Sequence, residues 1–210
     1  MAYHVQMKSV VLNTQEVKAI LEGRKTQTRR VVKPKLRDSD FDYYRRENRI
    51  KEKVIIDNGF NSYCKEYVWH KPPYKPGDIL WVRETWCEVP YETECVKIDD
   101  GFLSFPKIAY KADSEIDYTG MWKPSTQMPK QFARIFLQVK DVRAEQLQDI
   151  TDEDCIAEGV ELEALNKIGR YFTRGISSGV WDSINAKRGC NRESNPFVWV
   201  IDFERMESYE

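Results

Sequence analysis

Glu22-Gly23-Arg24-Lys25-Thr26-Gln27-Thr28-Arg29-Arg30 places four cations and two threonines in the seven residues after a glycine. Just upstream, Val17, Ile20 and Leu21 fall on one face of a helix, and Asn13 or Thr14 can cap it by accepting from a free first-turn amide. Gly23 stands where such a helix ends in the left-handed conformation. The basic motif is therefore expected on a connection leaving a buried helix, a common location for functional groups. Hydroxyls set between cations suit a phosphate-rich ligand, or a hydroxyl whose pKa must be lowered.

Outward from this motif, Lys8–Leu12 reads as a first strand and Tyr74–Asp78 as a Pro-Gly turn. Ile79–Arg83 is nearly continuous in hydrophobicity, as in a central strand, and Glu84-Thr85-Trp86 continues it with polar groups at its far end. Further strands are expected at Lys107–Lys111 and Arg134–Lys140, separated by the loop from Trp122 to Pro129. Thr151 caps an acidic helix that runs to Gly159, with carboxylates near its positive end. A second helical segment passes Val180, Trp181 and Ile184 and stops near Gly189, and Phe197–Phe203 is the closing strand. About six irregularly spaced strands with short helices between them predict an α+β fold, a small mixed β-barrel or open sheet. The stretch from about 35 to 73 is the least regular. It has one good strand, Lys53–Asp57, and an Asn58-Gly59 turn signal. Its aromatics (Tyr43, Tyr44, Tyr63, Tyr67, Trp69) interleave with cations, which suits base stacking beside phosphates and equally suits packing on a main domain.

With 210 residues, the chain is sized for one domain with an elaborate insertion. No apolar run approaches the roughly 18 residues of a membrane span, and no signal-peptide pattern opens the chain. Five scattered cysteines without C-x-x-C spacing read as reduced thiols, so a cytoplasmic location is expected. The net charge of −1 conceals segregation: Arg24–Lys53 holds twelve Lys/Arg against five Asp/Glu, whereas Glu145–Glu163 holds eight acids and no base. A basic face beside an acidic one, or two merely solvated faces, would each give this pattern.

Two histidines, His4 and His70, cannot complete a metal site with the scattered cysteines, and neither metal nor cofactor is expected. P-loop and G-x-G-x-x-G patterns are absent from the sequence. Lys25 and Thr28 remain: a threonine hydroxyl needs a base, and a lysine serves when burial or neighbouring cations depress its pKa. A basic turn solvated by water is the plain alternative.

Gly23-Arg24-Lys25-Thr26-Gln27-Thr28-Arg29 resembles the G-x-K-x-x-T-x-R signature of ASCH domains. Lys75 to Glu84 is similar to the family's second block, and Leu147–Gly159 and the closing strand also match. The chain as a whole looks like the ASCH-containing proteins of bacteriophages and prophages, with 35–73 the least matched part. The resemblance implies a PUA-like fold across 1–210, a small mixed β-barrel flanked by short helices, with an insertion after the first motif and a cleft for RNA or a nucleoside. Small bacterial members hydrolyse N4-acetylcytidine with a Lys-Thr-Glu trio, which maps onto Lys25, Thr28 and Glu158. Thr28 is then the nucleophile, Lys25 its base and Glu158 the proton relay, although Asp154, Glu161 and Glu163 rival Glu158. Arg24, Arg29, Arg30, Arg83, Glu84 and Trp86 are the expected substrate or RNA contacts. Relatives linked to RNA binding or ribonuclease activity leave two alternatives: a non-catalytic RNA-binding module and a metal-independent ribonuclease.

Overall fold

The computed structural model describes residues 6–32, 42–46, 49–57, 63–89, 97–98, 101–102, 108–113, 121–160, 181–182 and 185–207; for those of them within 42–69 and 97–102, and for 188, only the backbone is described. In chain order the first elements are β1 (Met7–Val11), α1 (Thr14–Leu21), β2 (Gln27–Val31), β3 (Asp42–Arg46), β4 (Arg49–Asp57) and β5 (Tyr63–His70). Then come β6 (Ile79–Arg83), β7 (Trp86–Glu88), β8 (Lys97–Ile98), β9 (Gly101–Phe102), β10 (Ile108–Tyr110), β11 (Phe136–Gln146), α2 (Asp152–Ala157) and β12 (Phe197–Arg205). The architecture is mixed α+β, built on sheets with a few short helices. Among the described residues the ladders do not close into a barrel, and no helix is long and apolar enough to cross a membrane.

The chain divides into two compact units. One comprises Met1–Arg24, Asp78–Gln138 and Arg205–Glu210, the other Lys25–Gly77 and Val139–Glu204. In the first, β6 runs parallel to β1 and antiparallel to the start of β11. Flanked on both sides, it buries Leu80 and Val82 completely, which is why it reads as a central strand. Asn13 caps α1 through a reciprocal bond with Glu16, and Gly23, at φ +74°, ends the helix. The Gly23 amide reaches the Ile20 carbonyl and the Arg24 amide reaches that of Ala19, a Schellman closure. β7 and β10 form a short antiparallel ladder, and Cys87, Val89, Ala109 and Trp122 pack together there.

In the second unit, β12 lies between the outer part of β11 and β2, and Leu147, Val198, Val200 and Trp181 pack together. β2 corrects the expected connection: Gln27–Val31 is a strand, antiparallel to Val198–Asp202. Its Thr, Gln and Arg residues hide strand periodicity because the charges that permit their burial come from distant elements. The 35–73 region is more regular than expected, since β3, β4 and β5 form an antiparallel sheet within it. The acidic helix stops at Ala157, two residues earlier than the Gly159 reading; Glu158 is its C-cap and Gly159, at φ +93°, turns the chain away. His4, the Asn58-Gly59 turn, Lys107, Val180, Ile184, Glu161 and Glu163 lie outside the described residues.

Candidate functional site

Of the residues singled out from the sequence, Lys25, Arg29 and Glu158 lie in one charged cluster of the second unit and Glu84 in another of the first. In the second unit the site begins with the end of α2. The Gly159 amide bonds Ile156 and the Val160 amide bonds Cys155, a second Schellman closure that leaves the Glu158 carbonyl without a helical partner. Lys25 Nζ donates to that carbonyl at 3.0 Å and to Glu158 Oε2 at 2.9 Å. A cation at a helix C-terminus is favoured by the dipole as well as by the hydrogen bond. The backbone holds this meeting in place: the Thr26 amide donates to the Ala157 carbonyl, and the Phe203 amide to the Thr26 carbonyl.

Arg29 extends the cluster. Its Nη1 donates to Glu158 Oε1 at 2.9 Å and to Gln27 Oε1 at 2.7 Å, while Gln27 Nε2 donates to Asp202 Oδ1 at 2.7 Å. Nη2 stands 3.1 Å from Asp154 Oδ2 and 3.7 Å from Glu145 Oε2 as ion pairs. Neither Nη2 nor Nε makes a hydrogen bond among the described residues. Arg143 closes the ring through Glu145, Asp154 and Asp202. Three cations thus face four carboxylates. The Lys25 and Arg29 side chains are 1% and 3% exposed, whereas Glu158 is 18% exposed, so of these three the carboxylate is the one open to water, as are Arg143, Glu145, Asp154 and Asp202 around it.

The electrostatics follow from these contacts. Burial alone would raise the Asp154 carboxyl, but the Thr151 amide and the Arg29 charge outweigh it and hold it below its usual range. Burial would weaken the Arg143 cation, yet Glu145, Asp202 and Asp154 raise its pKa.

Thr28 is 1% exposed and pairs with Ile201 across β12. The pleat sets Gln27 and Arg29 on one face of β2 and Thr28 and Arg30 on the other. No hydrogen bond joins the Thr28 hydroxyl to Lys25 or Glu158 among the described residues. Lys25, Arg29 and Glu158 are therefore brought together, and Thr28 is buried beside them without bonding to them. Arg30 donates to the Arg29 carbonyl at 3.2 Å; half-buried Tyr74 has its hydroxyl pKa pushed up by desolvation, and the Arg30 charge opposes that shift. Arg24, in the first unit, pairs with Glu22.

Arg83, Glu84 and Trp86 belong to the first unit. Glu84 is 1% exposed and receives Arg134 Nε at 2.9 Å and Nη2 at 3.0 Å, a bidentate pair. Burial raises its pKa in spite of that arginine. Arg134 also bonds Asp113 and lies over the Tyr110 ring at 4.0 Å. Arg83 donates to the Thr126 carbonyl. Trp86 is 3% exposed, stacks at a tilt on Phe132 with centroids 5.0 Å apart and receives Lys123 over its ring at 4.6 Å.

Gln27, Arg143, Glu145, Asp202, Asp113 and Arg134 were not singled out from the sequence. The available signal was parity: Gln27-x-Arg29 and Arg143-x-Glu145 each fall on one face of a strand, where a charged pair is buried only with partners. Among the described residues no group of three His, Cys, Asp or Glu side chains could hold a metal ion. Comparison of the chain with protein-family models, with curated proteins and with solved structures finds no match.

Proposed function

We propose that the chain is an ASCH-type protein of PUA-like fold that hydrolyses the acyl amide of an N4-acylated cytosine nucleoside. One observation carries this reading: Lys25 and Glu158, 133 residues apart, meet at 2.9 Å with the lysine buried and the carboxylate partly open to water. A cation beside an accessible carboxylate can stabilise the oxyanion formed at an attacked acyl carbon and deliver a proton to the leaving amine. Thr28 attacks in the route that the family resemblance implies, giving an acyl-threonine that water then opens. Because Thr28 lies on the opposite face of β2 from Arg29, that route requires the Lys25-Thr26 entry to turn toward the hydroxyl. Water activated by Glu158 requires no such turn.

The test is incubation of the purified protein with N4-acetylcytidine, with cytidine and acetate read chromatographically. Lys25→Met and Glu158→Gln should each cost about 10²–10⁴-fold in turnover, the range for a proton-handling group. Loss of turnover in Thr28→Ala assigns the nucleophile to Thr28, and retained turnover assigns it to water. Background turnover by wild type, unchanged in all three variants, removes the reading.

A second reading, a nucleoside- or RNA-binding module without hydrolysis, is favoured by one feature. Lys25 satisfies the terminal carbonyl of α2, which is a structural role sufficient to retain it. It expects saturable binding of N4-acetylcytidine with no product formed.

A further inference from the structure

β3, β4 and β5 pair in a continuous antiparallel register, from Asp42↔Lys53 to Arg46↔Arg49 and from Ile50↔His70 to Asp57↔Tyr63. Alternate residues of a strand share a face, so this register sorts the sheet into two sets of residues. One set contains Ile50, Val54, Ile56 and Val68 together with His70, which is buried at 6% exposure, and its charged members are Arg45, Glu52 and Glu66. With two acids against one base, this face offers nothing to a polyanion. The other set contains the cross-strand row Tyr44–Lys51–Trp69 and, next to it, the row Asp42–Lys53–Tyr67. Its twelve positions hold four aromatic residues and five Lys or Arg against two Asp.

Burying that second set against protein would desolvate five cations with two carboxylates to offset them, an unfavourable exchange. Its composition instead complements a polyanion that carries flat apolar groups. We propose that this face of the β3-β4-β5 sheet is a docking surface for single-stranded nucleic acid, with the aromatic positions taking bases and the intervening lysines taking phosphates. Single strands are specified because a duplex keeps its base faces stacked on one another, whereas an extended strand offers them to aromatic side chains. Each three-residue row spans two strand spacings, about 10 Å, so an aromatic and a cation lie within reach of neighbouring nucleotides. The inference stands on this register alone and does not require the Lys25–Glu158 chemistry.

Fluorescence anisotropy of the full chain with labelled RNA and DNA single strands of about 12 nucleotides, and with their duplexes, tests it. Four phosphate contacts give a log–log salt slope of about −2.8, a loss of roughly 50-fold between about 50 and 200 mM salt. Lys51→Gln/Lys53→Gln should flatten that slope by about 1.4, the share of two contacts. Tyr67→Ala or Trp69→Ala should weaken binding at least about fivefold with the slope unchanged. Trp69→Phe keeps a ring at the position and should retain the affinity, which separates stacking from a folding defect. Lys130→Gln, an exposed charge in the first unit, should change nothing. Tighter binding of RNA than DNA, or the reverse, identifies the natural strand, and either supports the proposal. Duplexes bound as tightly as single strands, equal losses in the Lys130 control, or no single-strand binding at low salt overturns it. Cytidine release is measured separately, so failure here and failure of the hydrolase reading are distinguishable.

Discussion

Replacing Arg29 with methionine removes the guanidinium while keeping most of its stem, and the structure sets the scale of the effect. The side chain is 3% exposed, and its loss abolishes the bonds to Gln27 Oε1 and Glu158 Oε1 and the ion pairs to Asp154 and Glu145. Removing one partner of a buried ion pair costs about 3–5 kcal/mol, since the remaining charge stays desolvated. Here the remaining carboxylates are 14–18% exposed and regain some water, which places the expected loss near the lower end, about 3 kcal/mol. For a chain of this size that lowers Tm by roughly 6–12 °C. Urea unfolding at pH 7 and again near pH 4 is the assay. The deficit should shrink at the acid end, because Asp154, whose carboxyl Arg29 helps to hold below its usual range, takes up its proton more readily once Arg29 is gone. Arg29→Lys, which restores charge without the planar fork, should fall between the two proteins. An Arg29→Met protein within about 0.5 kcal/mol of wild type at pH 7 would show that the cluster does not depend on the guanidinium, since that is the scatter of ordinary surface substitutions.

Asp154 has a lowered pKa, so its contribution is present above its unfolded value of about 3.9 and is lost as pH falls through the lower folded value. Asp154→Asn should therefore be less stable at neutral pH and flatten the acid limb of a stability–pH profile below about pH 4; an unchanged limb contradicts the assignment. Glu84 has the opposite sign: its folded pKa is raised, so this group's contribution grows as pH falls through the folded value toward the unfolded one, near 4.5. Glu84→Gln should remove that rise while costing stability at pH 7, where Arg134 loses its bidentate partner, and parallel profiles would refute it. Asn13→Ala deletes the capping bond to the Glu16 amide and should cost about 1 kcal/mol by thermal unfolding, with no change in nucleoside turnover.

Local signals carried the parts of the fold that depend on neighbours in sequence. The Asn13 and Thr151 caps, the glycine closures and the apolar strands β1, β6 and β12 each follow from side chains a few residues apart. β2 was not legible because its arginines are tolerable in a buried strand only beside Glu158, Asp154 and Glu145, more than a hundred residues away. The β3-β4-β5 sheet was partly hidden for the same reason: its mixed aromatic and charged residues make sense as alternating faces only once the register is known. Lys25 and Glu158 were paired by resemblance, not by spacing, and Gln27, Arg143 and Asp202 had only strand parity to mark them. Glu84 and Trp86, expected at a strand end as ligand contacts, are buried among partners of the same unit, which their sequence neighbours do not signal.

Release of cytidine and acetate from N4-acetylcytidine, measured together for wild type, Lys25→Met and Glu158→Gln after each is shown to unfold cooperatively, bears most directly on the function. Equimolar products from wild type, with turnover lowered about 10²–10⁴-fold in both folded variants, is the expected result. Turnover at the same rate in all three proteins, or none from wild type, contradicts it.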